Sequence, residues 1–259
     1  MKIGAQLYNV RDFVQNEEGL KASLEKIAGM GYKYVQYSGV GDGIPAKTFR
    51  RLCDEYALEC PLSHIDQDKI LRQTDKVIED QLTIGAKYLG IPIFPFNKYS
   101  LTVEDIDQFI ADYTPAAEAM KAAGLQCMYH NHHIEFVKVG GKLIIDRIME
   151  GFDKEIMGLV LDTYWVQAGG GDPSAYLEKF AGRVDTIHLK DMTMVGNKER
   201  LAEQRFAEIL EGNLNWDRIF PATEKAGVLF AFIEQDYSYE KDPFDCLKTS
   251  LDNINKHLA

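Results

Sequence analysis

The chain lacks the sequence features that mark membrane-spanning, secreted and nucleic-acid-binding proteins. No apolar run approaches the roughly 18 residues that a transmembrane helix needs, and the first residues, MKIGAQLYNVRDF, lack the charged-then-apolar layout of a signal peptide. No run of Lys or Arg is present, and the formal net charge of -11 disfavours a partner held through its phosphates. We therefore expect a cytoplasmic protein that binds neither a membrane nor nucleic acid.

Cysteine is sparse and carries no motif. The four cysteines are scattered and include no CxxC pair. Cys60 and Cys127 lie in strand-like runs, where a thiol acts as a small apolar side chain. A composition of 46% hydrophobic and 27% charged residues is ordinary for a chain of 259 residues that buries a real core. No linker or low-complexity tract interrupts the pattern, so we expect one domain over residues 1–259.

Short β-rich runs alternate with longer amphipathic runs along the chain. The predicted strands span residues 2–9, 32–39, 58–65, 86–94, 125–132, 156–165, 184–192 and 228–236. The amphipathic runs span about 18–30, 45–57, 66–85, 102–124, 141–152, 173–182 and 215–227, and a last one begins near Asp242. Eight strand–helix units in about 250 residues predict an α/β fold, the (β/α)8 TIM barrel. A doubly wound open sheet is the alternative, but it usually stops at five or six strands.

Polar groups stand where four of these strands end: Glu135, Asp162, His188 and Glu234. An ionisable side chain at the edge of a buried run is costly unless something pairs it. In a (β/α)8 barrel the carboxyl ends of the strands gather at one mouth, so the fifth to eighth strands would bring these groups together. Three carboxylates and an imidazole in one place predict a single divalent metal ion as cofactor.

The segment YHNHHIEF leaves the ligand of the fifth strand open among three histidines and Glu135. His130 and His132 share one strand face, because side chains alternate along a strand. We favour Glu135 as the ligand and His130 as a substrate contact. His132 is then a substrate contact, a ligand or a catalytic acid or base.

Two further residues are candidates for the chemistry itself. A carboxylate at Glu234 can bind a metal with one oxygen and still remove a proton from carbon. Lys190 faces the same side of its strand as His188, where it could hold a substrate hydroxyl or phosphate, or polarise a carbonyl. Asp191 beside Lys190 offers a salt bridge as the alternative role.

The remaining candidates are substrate contacts on other strands. Gln6 and His64 lie near the ends of the first and third strands, and Trp165 could wall an apolar side of the pocket. The run AGGGD lacks the GK[ST] of a nucleotide-binding loop. We therefore interpret it as a turn before a helix, with Asp172 as the N-cap and Pro173 as the first helical residue.

Together, the motifs GAQLYNVRD, YHNHHIEF, LDTYW, GGGDP, IHLKDM and FIEQD resemble the xylose isomerase-like TIM-barrel superfamily over essentially the whole chain. More narrowly, they are similar to its sugar phosphate isomerase/epimerase branch, which includes inosose dehydratase-like proteins. The resemblance implies one Mn, Co, Mg or Zn ion held by Glu, Asp, His and Glu, onto which Asp162, His188 and Glu234 fit. The sequence does not specify the oligomeric state, although barrels of this type are often dimers or tetramers, which leaves a homo-oligomer open.

The fifth strand departs from the pattern of the superfamily's epimerases, which place a glutamate within that strand. This chain has the Met128–Tyr129 region there, which counts against a proton shuttle between two glutamates. Endonuclease IV-like members need more histidine and acidic ligands than six histidines readily supply, so a DNA repair role is not expected.

The resemblance and the strand-end residues together predict a metal-dependent isomerase or epimerase of a small keto sugar or sugar phosphate, acting through an enediolate. Two alternatives stay open. One is a metal-dependent lyase of the inosose dehydratase or 3-keto-glycoside type, which the histidine cluster favours because elimination needs an acid. The other is a sugar-binding barrel without catalysis.

Overall fold

The computed structural model describes residues 1–258, in which twelve strands form one closed barrel and two small hairpins. The strands are β1 (Lys2–Gln6), β2 (Tyr34–Tyr37), β3 (Glu59–His64), β4 (Tyr88–Ile91), β5 (Gln126–His130), β6 (Lys138–Val139), β7 (Lys142–Leu143), β8 (Met157–Asp162), β9 (Thr186–Leu189), β10 (Asp191–Asn197), β11 (Leu201–Ala207) and β12 (Phe230–Ile233). The barrel order is β1-β2-β3-β4-β5-β8-β9-β12, with every neighbouring pair parallel. Pairing of β12 with β1 closes the ring, and the predicted (β/α)8 TIM barrel is confirmed.

The helices cover the outside of the barrel. They are α1 (Glu17–Gly29), α2 (Ala46–Glu55), α3 (Gln67–Arg72), α4 (Thr74–Ile84), α5 (Val103–Ala122), α6 (Ile144–Gly151), α7 (Thr163–Ala168), α8 (Pro173–Lys179), α9 (Trp216–Ala226) and α10 (Pro243–Leu258). The predicted cap of α8 is confirmed, because the Asp172 side chain accepts a hydrogen bond from Ser174 N and Pro173 is the first helical residue. The single helix predicted over 66–85 is two helices, since Gln73 between them has a non-helical φ of -136°.

Two apolar layers lie on opposite faces of the barrel strands. The larger layer fills the space between strands and helices and includes Tyr129, Leu161 and Ile233. A second cluster is formed by the alternate strand residues, which face the barrel axis: Leu62, Tyr88, Met128, Val160, Phe230 and Phe232, with Tyr34 packed against them. This inner cluster fills the lower part of the barrel and packs beneath the side chains at its carboxyl-terminal mouth.

Because side chains alternate along a strand, the functional side chains lie directly above the inner apolar cluster. The residue two positions after an inward-facing apolar residue faces inward as well. His64, His130, Asp162 and Glu234 follow Leu62, Met128, Val160 and Phe232 in this way, and Gln36 follows Tyr34. The carboxyl-terminal mouth of the barrel therefore receives a layer of polar groups.

The chain also contains a structure that the sequence did not predict. Residues 191–207 form an antiparallel hairpin of β10 and β11, directly after the seventh barrel strand. Most positions in the strands of this hairpin are partly buried or exposed, so they lack the buried apolar run that marks several of the barrel strands. Within residues 1–258, no helix combines the length and apolar character needed to cross a membrane.

Candidate metal centre and active site

Four side chains from four barrel strands meet at the mouth: His130, Asp162, His188 and Glu234. Each offers one ligand atom, and these four atoms all lie within 4.8 Å of one another. All four residues are buried, and Glu234 is the most exposed of them at 5%. Two imidazole nitrogens and two carboxylate oxygens suit a divalent transition metal.

Hydrogen bonds to outer acceptors orient both imidazoles, so that the other ring nitrogen of each faces the group. His130 Nδ1 lies 2.8 Å from the carbonyl of Pro92, which can only accept, so the proton is on Nδ1 and Nε2 is left free. His188 Nε2 lies 2.8 Å from Gln36 Oε1 and Nδ1 faces the carboxylates. Outer partners of this kind set the tautomer of a metal-ligating histidine.

The chemistry of the four converging atoms fits a metal ion. Each residue has one buried atom that makes no hydrogen bond of good geometry: His130 Nε2, Asp162 Oδ2, His188 Nδ1 and Glu234 Oε2. Charged neighbours compensate three of these atoms, because His188 Nδ1 lies 2.7 Å from Glu234 Oε2 and the Lys190 ammonium lies beside both carboxylate oxygens. The other oxygen of Asp162 accepts a hydrogen bond from Trp165 N and caps α7. Because two buried carboxylate oxygens and two ring nitrogens converge with no hydrogen bond of good geometry, the arrangement fits a site for a cation.

Lys190, which directly follows β9, borders the same site. Its ammonium is buried and lies 3.1 Å from Asp162 Oδ2, 3.0 Å from Glu234 Oε2 and 3.0 Å from Asp236 Oδ1. Its backbone N–H donates to the Thr163 hydroxyl, and that hydroxyl donates in turn to its carbonyl. The predicted position of Lys190 at the mouth agrees with this geometry.

The charges explain the protonation states of the group. Burial lowers the pKa of His188, but the carboxylates of Glu234 and Asp162 outweigh burial and raise it to about 9. Burial works against ionisation of Asp162, yet the Lys190 ammonium holds the pKa of that carboxyl below its usual range. Burial raises the pKa of Asp236 to about 6 although Lys190 opposes the change.

The structure differs from the prediction at the fifth strand. Glu135 is not part of the group of four, and His130 occupies the place that Glu135 was expected to take. The Glu135 carboxylate is fully buried elsewhere, where Oε1 accepts from Tyr129 OH at 2.6 Å and Oε2 accepts from His132 N at 2.7 Å. Tyr129 faces the outer apolar layer, so Glu135 is held on that side of the strand and not at the mouth.

Glu135 still acts on the site through the backbone. Its two hydrogen bonds hold Tyr129 and His132, which flank His130 in the chain. Burial raises the pKa of Glu135 to about 7. The residue is therefore a positioning residue of the segment that carries the histidines.

The other predicted contacts surround a cavity of about 540 Å³ above the group. His64, His132 and Trp165 line it, together with Tyr164 and Phe206. The rings of His64 and His130 have centroids 4.9 Å apart, and those of His132 and Trp165 are 5.2 Å apart.

Two of the predicted residues have other surroundings. Gln6 is buried and caps the 3₁₀ helix Leu7–Phe13, since its Oε1 accepts from Tyr8 N, and it is not among the cavity-lining residues. Asp191 forms no salt bridge with Lys190. It accepts hydrogen bonds from backbone amides and from the indole of Trp216 instead.

Sequence reasoning missed three supports of the site. Gln36 holds His188, Asn131 Oδ1 accepts from Asp162 N at 3.0 Å, and Asp236 pairs with Lys190. For Gln36 a signal existed, because Tyr34 and Gln36 share a strand face. Nothing in the sequence identified the partner of Asn131, which lies on a different strand.

A parallel (β/α)8 barrel with a buried His/Asp/His/Glu group at its mouth defines the class of protein: an enzyme-type barrel with a candidate metal centre. Its sequence matches the model of one protein family over residues 24–252. The chain belongs to that family, the xylose isomerase-like TIM barrel proteins. The resemblance seen in the sequence motifs is confirmed.

Relatives that are similar in sequence carry the name inosose dehydratase. An inosose dehydratase of Geobacillus thermodenitrificans is 26% identical over 177 residues, which cover 64% of this chain and 57% of that protein. An inosose dehydratase of Bacillus cereus is 28% identical over 104 residues, covering 40% of this chain and 34% of that protein. The matched segments thus span between about a third and just over half of these relatives.

Solved structures show the likeness of fold over the whole chain. A sugar phosphate isomerase/epimerase of Parabacteroides distasonis has a TM-score of 0.82 at 22% identity, with 98% of each chain covered. An L-ribulose 3-epimerase has a TM-score of 0.74 at 14% identity, covering 100% of this chain and 97% of that one. The probable 3-DHS dehydratase of Bacillus anthracis has a TM-score of 0.72 at 12% identity, covering 98% and 99%.

Proposed function

We propose that the protein is a metal-dependent isomerase that moves a proton between adjacent carbons of a small keto sugar. The observation that carries this proposal is the convergence of four buried ligand atoms within 4.8 Å of one another, beside a cavity of about 540 Å³ that His130 and Glu234 line. That volume lies in the range of small-molecule sites. The proposed ligand is a sugar or polyol.

His130, Asp162, His188 and Glu234 would hold the ion. When bound, a divalent ion polarises a carbonyl and an adjacent hydroxyl. The aromatic walls of the cavity, Trp165 and Phe206, exclude water and offer rings that pack against the apolar face of a sugar.

Glu234 and Lys190 have the positions needed for proton transfer. Glu234 lines the cavity and takes the proton from the carbon next to the carbonyl, while the electron pair of that C–H bond moves towards the carbonyl oxygen. The Lys190 ammonium, which also lines the cavity, donates a hydrogen bond to the oxygen that gains charge. Glu234 then returns the proton to the former carbonyl carbon, while the proton of the adjacent hydroxyl passes to the former carbonyl oxygen, so that the carbonyl moves by one carbon.

The positions of the carboxylates favour proton removal and proton return on the same face of the substrate. An epimerase that works with two bases needs a carboxylate on the opposite wall, and the inward positions of β5 carry Met128 and His130. The other carboxylate at the cavity, Asp236, stands beside Glu234 and pairs with the same lysine. One-sided transfer suits isomerisation between adjacent carbons.

Dehydration is the second candidate, and the same one-sided arrangement supports it. The base would remove the proton next to the carbonyl, and Lys190 would give a proton to a hydroxyl leaving from the next carbon, so that water departs. The relatives named inosose dehydratase favour this outcome.

The test is solvent exchange in deuterated water with Mn²⁺ present and a panel of keto sugars. Isomerisation predicts deuterium at the carbon next to the carbonyl and a product of otherwise unchanged mass. Dehydration predicts loss of water and the ultraviolet absorbance of an enone.

Substitution of the base is the second arm of this test. Glu234→Gln should abolish the exchange, while Glu208→Gln, a buried glutamate paired with Lys241 outside the cavity, should leave it intact. Metal and sugar binding without exchange in the wild-type protein would instead identify a sugar-binding barrel without catalysis.

A further inference from the structure

Arg11 stands at the cavity mouth without a carboxylate partner. It follows β1 in the 3₁₀ helix Leu7–Phe13 and lines the same cavity as His130 and Glu234. Its hydrogen bonds go to two carbonyls, Tyr8 O at 3.0 Å and Asp236 O at 2.8 Å, and both come from Nη1. Within residues 1–258 the guanidinium forms no ion pair, and Nε and Nη2 make no hydrogen bond.

The guanidinium is held in one place. Its central carbon lies 4.4 Å from the centroid of the Tyr8 ring and 5.4 Å from that of the Tyr237 ring. Two aromatic rings and two carbonyls thus fix the plane of the group and leave part of its donor set free. A planar, fixed guanidinium with free N–H groups is the typical receptor for a carboxylate or a phosphate.

Lys190, the lysine at the inner end of the cavity, does not offer such a receptor. Its ammonium already contacts the carboxylates of Asp162, Glu234 and Asp236. Three such contacts match the three N–H donors of an ammonium, so none is left for a further anion. Arg11 is the cationic side chain of the cavity lining that no carboxylate neutralises.

We propose that Arg11 binds an oxyanion on the substrate, so that the substrate is a keto sugar bearing a phosphate or a carboxylate. The anionic end would lie at Arg11 and the carbonyl end at Glu234 and His130. This inference rests on the proposed function for the identity of the carbonyl end, but the anion contact itself does not depend on turnover.

Binding to the Mn²⁺-loaded protein tests the proposal. The probes are D-fructose, D-fructose 6-phosphate, 2-keto-D-gluconate and inorganic phosphate, measured by calorimetry on the wild-type protein and on Arg11→Gln. We expect an anionic sugar to bind the wild type at least about tenfold more tightly than fructose, and Arg11→Gln to remove that difference while fructose binding stays unchanged. A preference for the phosphate or for the carboxylate identifies which oxyanion is recognised.

Two variants separate anion recognition from a structural role. Arg11→Lys keeps the positive charge and should retain part of the preference for anionic sugars. If Arg11 only held the two carbonyls, the preference would not depend on the charge at this position. Arg51→Gln, an exposed arginine on α2 that pairs with Glu17, is the matched control and should behave as the wild type. Thermal unfolding and metal content of Arg11→Gln establish that the variant is folded.

The proposal is overturned if Arg11→Gln weakens fructose and the anionic sugars equally, or if no probe shows Arg11-dependent anion binding at millimolar concentration. Its failure is distinguishable from that of the proposed function. Exchange on neutral ketoses without Arg11-dependent anion binding refutes this inference alone. Arg11-dependent binding without exchange on any sugar refutes the isomerase alone.

Discussion

At the scale of single residues, Glu135 shows how burial turns a carboxylate into a pH-dependent element of stability. Burial raises its pKa from 4.5 to about 7. Its contribution to the free energy of unfolding is fully present below pH 4.5 and is lost as the pH rises through about 7, because the unfolded chain releases the proton first. The segment with His130 and His132 should therefore be held most firmly in mildly acidic solution.

Glu135→Gln tests this prediction. The amide oxygen can accept from His132 N–H and the amide NH₂ can donate to the Tyr129 hydroxyl, so the variant keeps both contacts without titrating. The stability of the wild type relative to Glu135→Gln should fall by on the order of 2–3 kcal/mol between pH 5 and 8, measured by denaturant unfolding.

Glu208→Gln supplies a control of opposite sign. Burial opposes ionisation of Glu208, but Lys241 prevails and lowers the pKa of that carboxyl. Its contribution is present above the unfolded pKa and is lost as the pH falls through the folded pKa, so the wild type should gain relative to Glu208→Gln as the pH rises. Parallel profiles of the wild type and Glu135→Gln would contradict the account of Glu135.

At the scale of elements, the hairpin of β10 and β11 builds one wall of the site. Phe206 on β11 packs against Tyr164 with centroids 4.4 Å apart, and Gln204 donates to the Tyr164 hydroxyl at 2.9 Å. The base of the hairpin is tied down by Asp191, whose carboxylate accepts from Trp216 Nε1 at 2.7 Å. Backbone amides complete its set of donors: Met192, Leu210, Gly212 and Leu214.

Asp191→Asn should loosen this hairpin. The substitution turns one acceptor oxygen into an NH₂ group that faces N–H donors, which leaves buried donors unsatisfied at a cost of about 2–3 kcal/mol or more. We expect faster tryptic cleavage in the hairpin turn at Lys198 and Arg200. Asp107→Asn, which removes only an exposed contact with Arg147, should leave the cleavage rate unchanged. Equal cleavage rates for the two variants would show that Asp191 does not hold the hairpin.

The hairpin and strand five also show what the sequence could predict at this scale. The barrel strands were predictable because several of them are short apolar runs, buried along their length, that stand between amphipathic helices. The hairpin was not, because its strands are partly exposed and their pairing is specified by contacts with Asp191 and Tyr164 that are distant in sequence. His130 shares a strand face with Met128, which was a signal for its inward position. The prediction nevertheless chose Glu135 as the ligand, because the sequence does not specify that β5 ends at His130.

At the scale of the whole molecule, closure of the barrel depends on a glycine. Gly4 of β1 pairs with Phe232 on one side and Tyr34 on the other. A Cβ at this position would lie 2.7 Å from the Phe232 ring and 2.9 Å from the carbonyl of Tyr34. The missing side chain lets the first strand, the last strand and the inner apolar cluster meet.

Gly4→Ala should therefore destabilise the barrel by about 1–3 kcal/mol, the cost typical of overpacking. Gly29→Ala is the matched control, because a Cβ there meets nothing within 4 Å and the residue is helical. That control should be neutral or stabilising by up to about 1 kcal/mol. Thermal and denaturant unfolding compare the two, and equal stabilities would rule out tight closure at Gly4.

The fold as a whole was predictable, whereas the full site was not. Asp162, His188 and Glu234 were identified because each follows an apolar run, and the structure brings them together. The fourth member of the group depended on three-dimensional contacts, since Tyr129 holds Glu135 away from the mouth.

The metal centre is tested best by calorimetric titration of the metal-free protein with Mn²⁺, comparing His130→Ala with Glu135→Gln. We expect one ion per chain in the wild type and a loss of affinity of more than roughly 100-fold in His130→Ala, since a ligand is removed. Glu135→Gln should stay within about tenfold of the wild type, because this residue only positions the segment. Undiminished binding by His130→Ala together with loss of binding by Glu135→Gln would contradict this expectation, as would the absence of Mn²⁺ binding by the wild type.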